Sequence, residues 1–320
     1  MSLTFYRDQI RSRQAKAFYD AICADITGGN VSGIYRLTAT NPSAAARDGA
    51  AALLALRKDR PEYFFILGNP IAHIQGSQVT LEDEMLYTPR QIAKIRSHLD
   101  RALAAYTVYT FGLPVWEREK LVYERIAKSL TYIDHGDGKN HKDYDHNIVG
   151  PLLQGSGVCE GFSCLLMLAL RKIGIPCIRV SGQSKNEAHC WNLAWIDGSP
   201  VHLDITWDKP NENGDLGFFY FNLTDEQITR DHRITTKGLP QCMDPTHGYH
   251  YRRGTVFSDT EKAAGYLRRA LGSNAGPVSI RFSNSDAVTV SVRKAMRNVP
   301  VGGYKYQYCE TQRTAMIWTV

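Results

Sequence analysis

The chain has 320 residues, 43% of them hydrophobic and 22% charged, with a formal net charge of +6. That balance excludes a disordered chain, and apolar runs such as Leu165–Leu170 fall far short of the roughly 20 residues a membrane-spanning helix needs. The basic residues are spread without a dense patch, which argues against nucleic acid and leaves a mild attraction to anionic surfaces such as cell-wall polymers.

In chain order, Ile10, Ala17, Phe18, Ala21, Ile22 and Ile26 recur at helical spacing over residues 9–25, and Thr27-Gly28-Gly29-Asn30 ends the pattern. A strand over residues 31–38 and an Ala-rich helix over about 41–58 follow. Residues 63–67 and 78–81 read as strands, and a helix runs over about 88–106 from a Thr-Pro start. These elements form an N-terminal α/β module, residues 1–110.

A new segment, residues 111–244, opens with a helix over about 115–130 and a polar loop from Asp134 to His146. A second helix covers about 158–173 and stops at Gly174, with Pro176 just beyond. Strand-like stretches lie at 177–182, 191–196, 201–206 and 218–221. The C-terminal module, residues 245–320, alternates strands near 255–257 and 278–282 with helices at 259–271 and 285–297, and ends in a strand pair between 304 and 320.

Three residues stand out by their surroundings. Cys159 lies in Gly-Ser-Gly-Val-Cys-Glu-Gly-Phe-Ser, a Gly-rich turn entering an apolar helix. A helix N-terminus and a nearby imidazolium both favour thiolate, and the Cys159 amide is placed to serve as an oxyanion donor. Gly155, Gly157 and Gly161 are expected to leave room for a substrate carbonyl. His189 and Asp204 lie in Ala-His-Cys-Trp-Asn and His-Leu-Asp-Ile-Thr-Trp. If Asp197-Gly198 form a two-residue turn, Trp191 faces Asp204 and His189 shares their face, so the carboxylate can orient the ring.

Taken singly, each of the three has a bland reading, a buried thiol or a satisfied strand residue. Together they read as a Cys-His-Asp triad, with His189 accepting the thiol proton and Asp204 fixing its tautomer. Gln154 is a candidate oxyanion donor or else a solvent-facing turn residue, and Trp191, Trp207 and Glu160 are candidate cleft residues. The negative charge of Glu160 is expected to nudge the thiol pKa upward. His135, His141 and His146 match no standard ligand spacing, and Asp134, Asp137 and Asn140 do not follow a calcium-loop ladder, so neither metal nor cofactor is expected. The seven cysteines are an odd number without a C-x-x-C pair, so most read as buried thiols.

Val-Cys-Glu-Gly-Phe-Ser, His-Cys-Trp-Asn-Leu-Ala-Trp-Ile-Asp-Gly and Leu-Asp-Ile-Thr-Trp-Asp resemble the three motifs of the bacterial transglutaminase-like superfamily of papain-fold thiol enzymes. The resemblance covers about residues 115–235, including Phe-Phe-Tyr-Phe-Asn-Leu-Thr-Asp. It implies an α+β fold, with a transglutaminase-like or papain-like core in which a helix bearing Cys159 packs on an antiparallel sheet bearing His189 and Asp204. It also implies Cys159 as nucleophile, His189 as base and Asp204 as orienting acid. Glu160 stands where the family often has Gln, and Cys190 where a small Ala is common.

The function expected is acyl transfer from peptide or protein amides through a Cys159 thioester, with hydrolysis favoured over cross-linking. The substrate is a peptide or protein, cell-wall peptide included. The alternative is a catalytically silent binding module of the cell envelope on the same fold. Met-Ser-Leu-Thr-Phe-Tyr-Arg-Asp shows no secretory leader, although Met-Ser-Leu resembles an expression remnant, and the family tilts the expectation toward an extracytoplasmic site. The sequence sets no oligomeric state.

Overall fold

The structure is a computed structural model that describes residues 4–133, 142–273 and 276–320. The expected loop residues Asp134, His135, Asp137, Asn140 and His141 lie outside them. The chain opens with α1 (Phe5–Gln9), α2 (Arg13–Thr27), β1 (Ile34–Thr38), α3 (Pro42–Asp59), β2 (Ile71–Gln75), β3 (Gln78–Glu82) and α4 (Pro89–Tyr109). Next come α5 (Val115–Ser129), β4 (Thr131–Tyr132), a 3-10 turn at Asp143–His146, a π-helical turn at Gly150–Gln154, β5 (Ser156–Gly157) and α6 (Cys159–Lys172). The strands β6 (Cys177–Ser184), β7 (Glu187–Ile196) and β8 (Ser199–Leu203) precede α7 (Asp225–Ile228), β9 (His232–Ile234) and α8 (Tyr249–Arg252). The last elements are β10 (Val256–Phe257), α9 (Thr260–Gly272), β11 (Val278–Phe282), α10 (Val288–Met296), β12 (Tyr304–Cys309) and β13 (Thr314–Thr319). The architecture is α+β.

The chain divides into two compact units, Met1–Gly112 with Thr131–Arg179, and Leu113–Leu130 with Val180–Val320. In the first, the helices begin where side chains satisfy their leading amides: Ser12 accepts from Ala15 N, Asn41 from Ala44 N, and Thr88 closes a reciprocal capping box with Gln91. The antiparallel sheet β1-β3-β2 meets α3 through the buried Leu37, Val79 and Leu81. Residues 63–67, expected as a strand, form a buried turn instead. Tyr63 N bonds Arg60 O, Ile66 N bonds Tyr63 O, and the buried Asp83 carboxylate accepts Leu67 N and Gly68 N. The apolar run is core, yet its backbone is satisfied without a ladder. Strand β2 escapes sequence reading because all five residues are exposed, so no alternation marks it.

The second unit holds the sheet β8-β7-β6-β9 and the sheet β10-β11-β13-β12. The β7–β8 register runs from Ile196↔Ser199 to Asn192↔Leu203, the pairing the two-residue turn requires, and Asp197 and Gly198 have φ of 50° and 88°. Pro200 sits within β8, on the edge of its sheet. Residues 218–221, expected as a strand, are held as coil. Positive φ at Phe218 and Asn222 breaks the strand, and Asp208 Oδ1 and Oδ2 accept Phe219 N and Tyr220 N at 2.7 and 3.2 Å. The C-terminal sheet and α9 and α10 enclose a separate apolar cluster that includes Leu267, Ile280, Val292 and Ile317.

Candidate active site

In the first unit, Cys159 is the first residue of α6 and is partly exposed. Residues Gly161–Leu170 behind it are all buried, so the helix is fixed by packing on every side. The approach is made by the π-helical turn, by Gly155 at φ 64°, and by β5, which pairs in parallel with β4. The expected clearance around Gly157 and Gly161 is filled by the protein itself. A Cβ on Gly161 would lie 2.5 Å from Asp145 O and 2.8 Å from Asn147 O, and one on Gly157 would lie 3.1 Å from Asp145 O. Val158 N also donates to Asp145 O at 3.1 Å, so these glycines let residues 145–151 press against the helix start. Gln154 is exposed at the end of its turn.

Glu160 is clamped. Its Oε1 lies 3.1 Å from both Arg57 Nη2 and Arg179 Nη1, and its Oε2 lies 3.7 Å from His146 Nδ1. Burial opposes its charge, but the neighbouring His146 and the Arg179 and Arg57 guanidiniums outweigh burial and lower its pKa to about 2. The same contact with Glu160 raises the pKa of His146. The guanidiniums offset the negative charge expected to act on the neighbouring thiol.

In the second unit, β7 carries His189 and the chain just past β8 carries Asp204. His189 Nε2 lies 2.7 Å from Asp204 Oδ2, so proton exchange falls to Nδ1. Asp204 is fully buried, and its Oδ1 accepts Thr206 N at 2.9 Å. Burial alone would raise this carboxyl, yet the charge and hydrogen bond of His189, with the bond to His232, hold it well below the usual carboxylate range. Trp191, 1% exposed, stacks beneath the His189 ring at 5.9 Å and 21°. Trp207 meets the same ring edge-on at 6.3 Å, with the Lys185 ammonium 4.0 Å from its own centroid. Trp191 thus packs as core, while Trp207 is partly exposed.

Sequence reasoning missed His232, Asp231 and Tyr220. His232 Nε2 lies 2.9 Å from Asp204 Oδ2, its Nδ1 lies 2.6 Å from Asp231 Oδ1, and Tyr220 Oη donates to Asp231 Oδ2 at 2.6 Å. The one signal available was Tyr220, which falls in the Phe-Phe-Tyr-Phe-Asn-Leu-Thr-Asp stretch; the three-residue β9 offers no pattern.

Two groups of potential metal ligands occur among the described residues, His189-Asp204-His232 and His202-Asp225-Cys242. Neither suits an ion. His232 faces a carboxylate on each nitrogen and so carries both protons, leaving no lone pair. His202 Nδ1 accepts the Trp191 Nε1 hydrogen at 3.1 Å, which puts its proton on Nε2 toward Asp225; a metal there would require an imidazolate.

The chain is an α+β protein in which one unit carries a cysteine at the start of a buried helix and the other a histidine–aspartate pair on an antiparallel hairpin. Residues 101–205, which include Cys159, His189 and Asp204, match the family model described as the transglutaminase-like superfamily. Among solved structures, a TGase is similar at 14% identity and a TM-score of 0.33, covering 44% of this chain and 44% of its own, so the match spans well under two thirds of that protein. LapG of Legionella pneumophila is similar at 17% identity and a TM-score of 0.29, covering 46% of this chain and 74% of LapG. Its calcium-bound form gives 15% identity, 52% and 90% coverage, and a TM-score of 0.27. No curated protein matches the chain. No helix among the described residues is long and apolar enough to cross a membrane.

Proposed function

We propose that this protein is a thiol acyl-transfer enzyme acting on peptide or protein amides, with Cys159 as nucleophile, His189 as base and Asp204 as orienting acid. The observation that carries the reading is the 2.7 Å contact between His189 Nε2 and a fully buried Asp204, within a segment that matches the transglutaminase-like superfamily and also holds a cysteine at a helix start. The thiolate attacks the amide carbon, and the C–N bond breaks as the imidazolium delivers its proton to the leaving amine. Water then attacks the thioester, giving up a proton to the imidazole, and the carboxylic acid leaves as the thiolate returns. Hydrolysis is favoured over amine transfer, because the sequence shows nothing that shields an acyl-enzyme from water.

Cell-wall peptides are among the substrates this reading admits, and a compartment outside the cytoplasm fits them. The test is incubation of the purified protein with a peptide library and labelled amines, with Cys159→Ser as control. Peptide products that depend on Cys159 are expected. Amine incorporation without hydrolysis would replace the preferred reaction, and no Cys159-dependent product at all would leave the silent binding module as the better account.

A further inference from the structure

Behind the carboxylate that meets His189 lies an imidazole that the proposed reaction does not use. The His232 side chain has no solvent exposure, and Asp204 Oδ2 is shared between it and His189. Its place is also set by the sheet. Strand β9 pairs with β6 at Ser184↔His232, and Ser184 Oγ donates to Asp231 O at 3.1 Å. The ring lies 5.3 Å from that of His189, 5.1 Å from Trp191 and 5.8 Å from Tyr220.

We propose that His232 is a positioning residue of this site: its ring, bridged between Asp204 and Asp231, clamps the carboxylate that orients His189. The inference rests on the reading of His189 and Asp204 given above. A ring flanked by two carboxylates donates from both nitrogens, so it is a fixed cation that cannot take up or release a proton without losing a bond. The charged and titratable groups around it are Asp204 just past β8, Asp231 before β9, His189 on β7, and Tyr220, whose hydroxyl also lies 3.4 Å from Cys309 Sγ on β12. Burial works against the charge, but the hydrogen bonds and charges of Asp204 and Asp231 prevail and raise the pKa of the ring to about 9.

Two consequences follow. Asp204 cannot swing away with His189, because its second imidazole partner belongs to another strand. The buried cation also shares the charge of Asp204 Oδ2 with His189, so the carboxylate is held from two sides while it orients the base.

The test is imidazole NMR of the full-length protein across pH, in wild type, Asp231→Asn and His232→Gln. The expected result is a His232 ring doubly protonated through neutral pH, which loses its proton about one unit or more lower in Asp231→Asn. In His232→Gln, whose amide can still donate to Asp204 without charge, the His189 ring resonances are expected to move from their wild-type positions, because the carboxylate that orients the ring has lost its second charged partner. A His232 ring singly protonated at neutral pH, or a folded His232→Gln whose His189 ring resonances do not move, overturns the inference. If His232→Gln fails to fold, the wild-type and Asp231→Asn titrations decide. Because the rings are read directly, a protein that cleaves no peptide sinks the enzymatic reading and leaves this one standing.

Discussion

Asp204 does two jobs with two oxygens: Oδ1 fastens it to the Thr206 amide and Oδ2 meets the imidazoles. Replacing it with Asn keeps the shape but turns one oxygen into a donor facing rings that also donate. Asp204→Asn is therefore expected to lower kcat by about 10²–10⁴-fold with the fold retained, measured on any peptide the wild type cleaves. Glu160 is a pH case of the depressed kind. Its folded pKa of about 2 lies below its ordinary 4.5, so its contribution to stability is full above 4.5 and is lost as pH falls toward 2. Thermal melts of Glu160→Gln should fall below wild type at pH 6 and converge with it near pH 2. Glu119 has the opposite sign: it is buried, Asn222 Nδ2 donates to it at 2.7 Å, and burial raises its pKa to about 8. It resists folding increasingly as pH rises from 4.5 toward 8, and Glu119→Gln should raise Tm at pH 8 more than at pH 5. Cys159, His189 and Asp204 were legible as candidates because each sits in a short local motif; His232 was not, because its bond to Asp204 spans 28 residues and leaves no periodic trace.

At the scale of elements, turn and cap chemistry was legible and backbone satisfaction was not. Thr88-Pro89, Asn41-Pro42 and Asp197-Gly198 announce their structures because the side chain or φ preference acts within a few residues. The runs at 63–67 and 218–221 read as strands because burial was visible in the sequence, whereas the carboxylates of Asp83 and Asp208 that hold their amides lie elsewhere in the chain. Strand β6 supplies a test of how tightly the hairpin is supported. A Cβ on Gly182 would meet Arg233 O at 2.3 Å and the Trp191 ring at 2.6 Å, with backbone on one side and a fully buried indole on the other. Gly182→Ala should cost about 1–3 kcal/mol in chemical denaturation. Because Trp191 lies under His189, it should lower activity more than its stability loss explains.

Across the second unit as a whole, the C-terminal sheet is joined to the segments beside the histidine–aspartate pair. Ser279 Oγ donates to Gly217 O at 2.6 Å, Gln312 Nε2 to Gln227 O at 2.9 Å, and Cys309 meets Tyr220. Ile280, with no exposed surface, lies at the centre of that sheet's own core, so Ile280→Ala should cost about 2–5 kcal/mol in denaturant unfolding. The composition showed ample apolar material to bury a core. It did not foretell that residues 113–130 and 180–320 share a unit, because that grouping depends on contacts far apart in the chain.

Trp191 touches the rings of His189, His202 and His232 at once. An indole so placed senses the charge of its neighbours, since an imidazolium quenches its emission where a neutral imidazole does not. The protein thus carries an optical gauge of its own ionisation: the fluorescence difference between wild type and Trp191→Phe, followed across pH, should trace the protons at this centre without any added label.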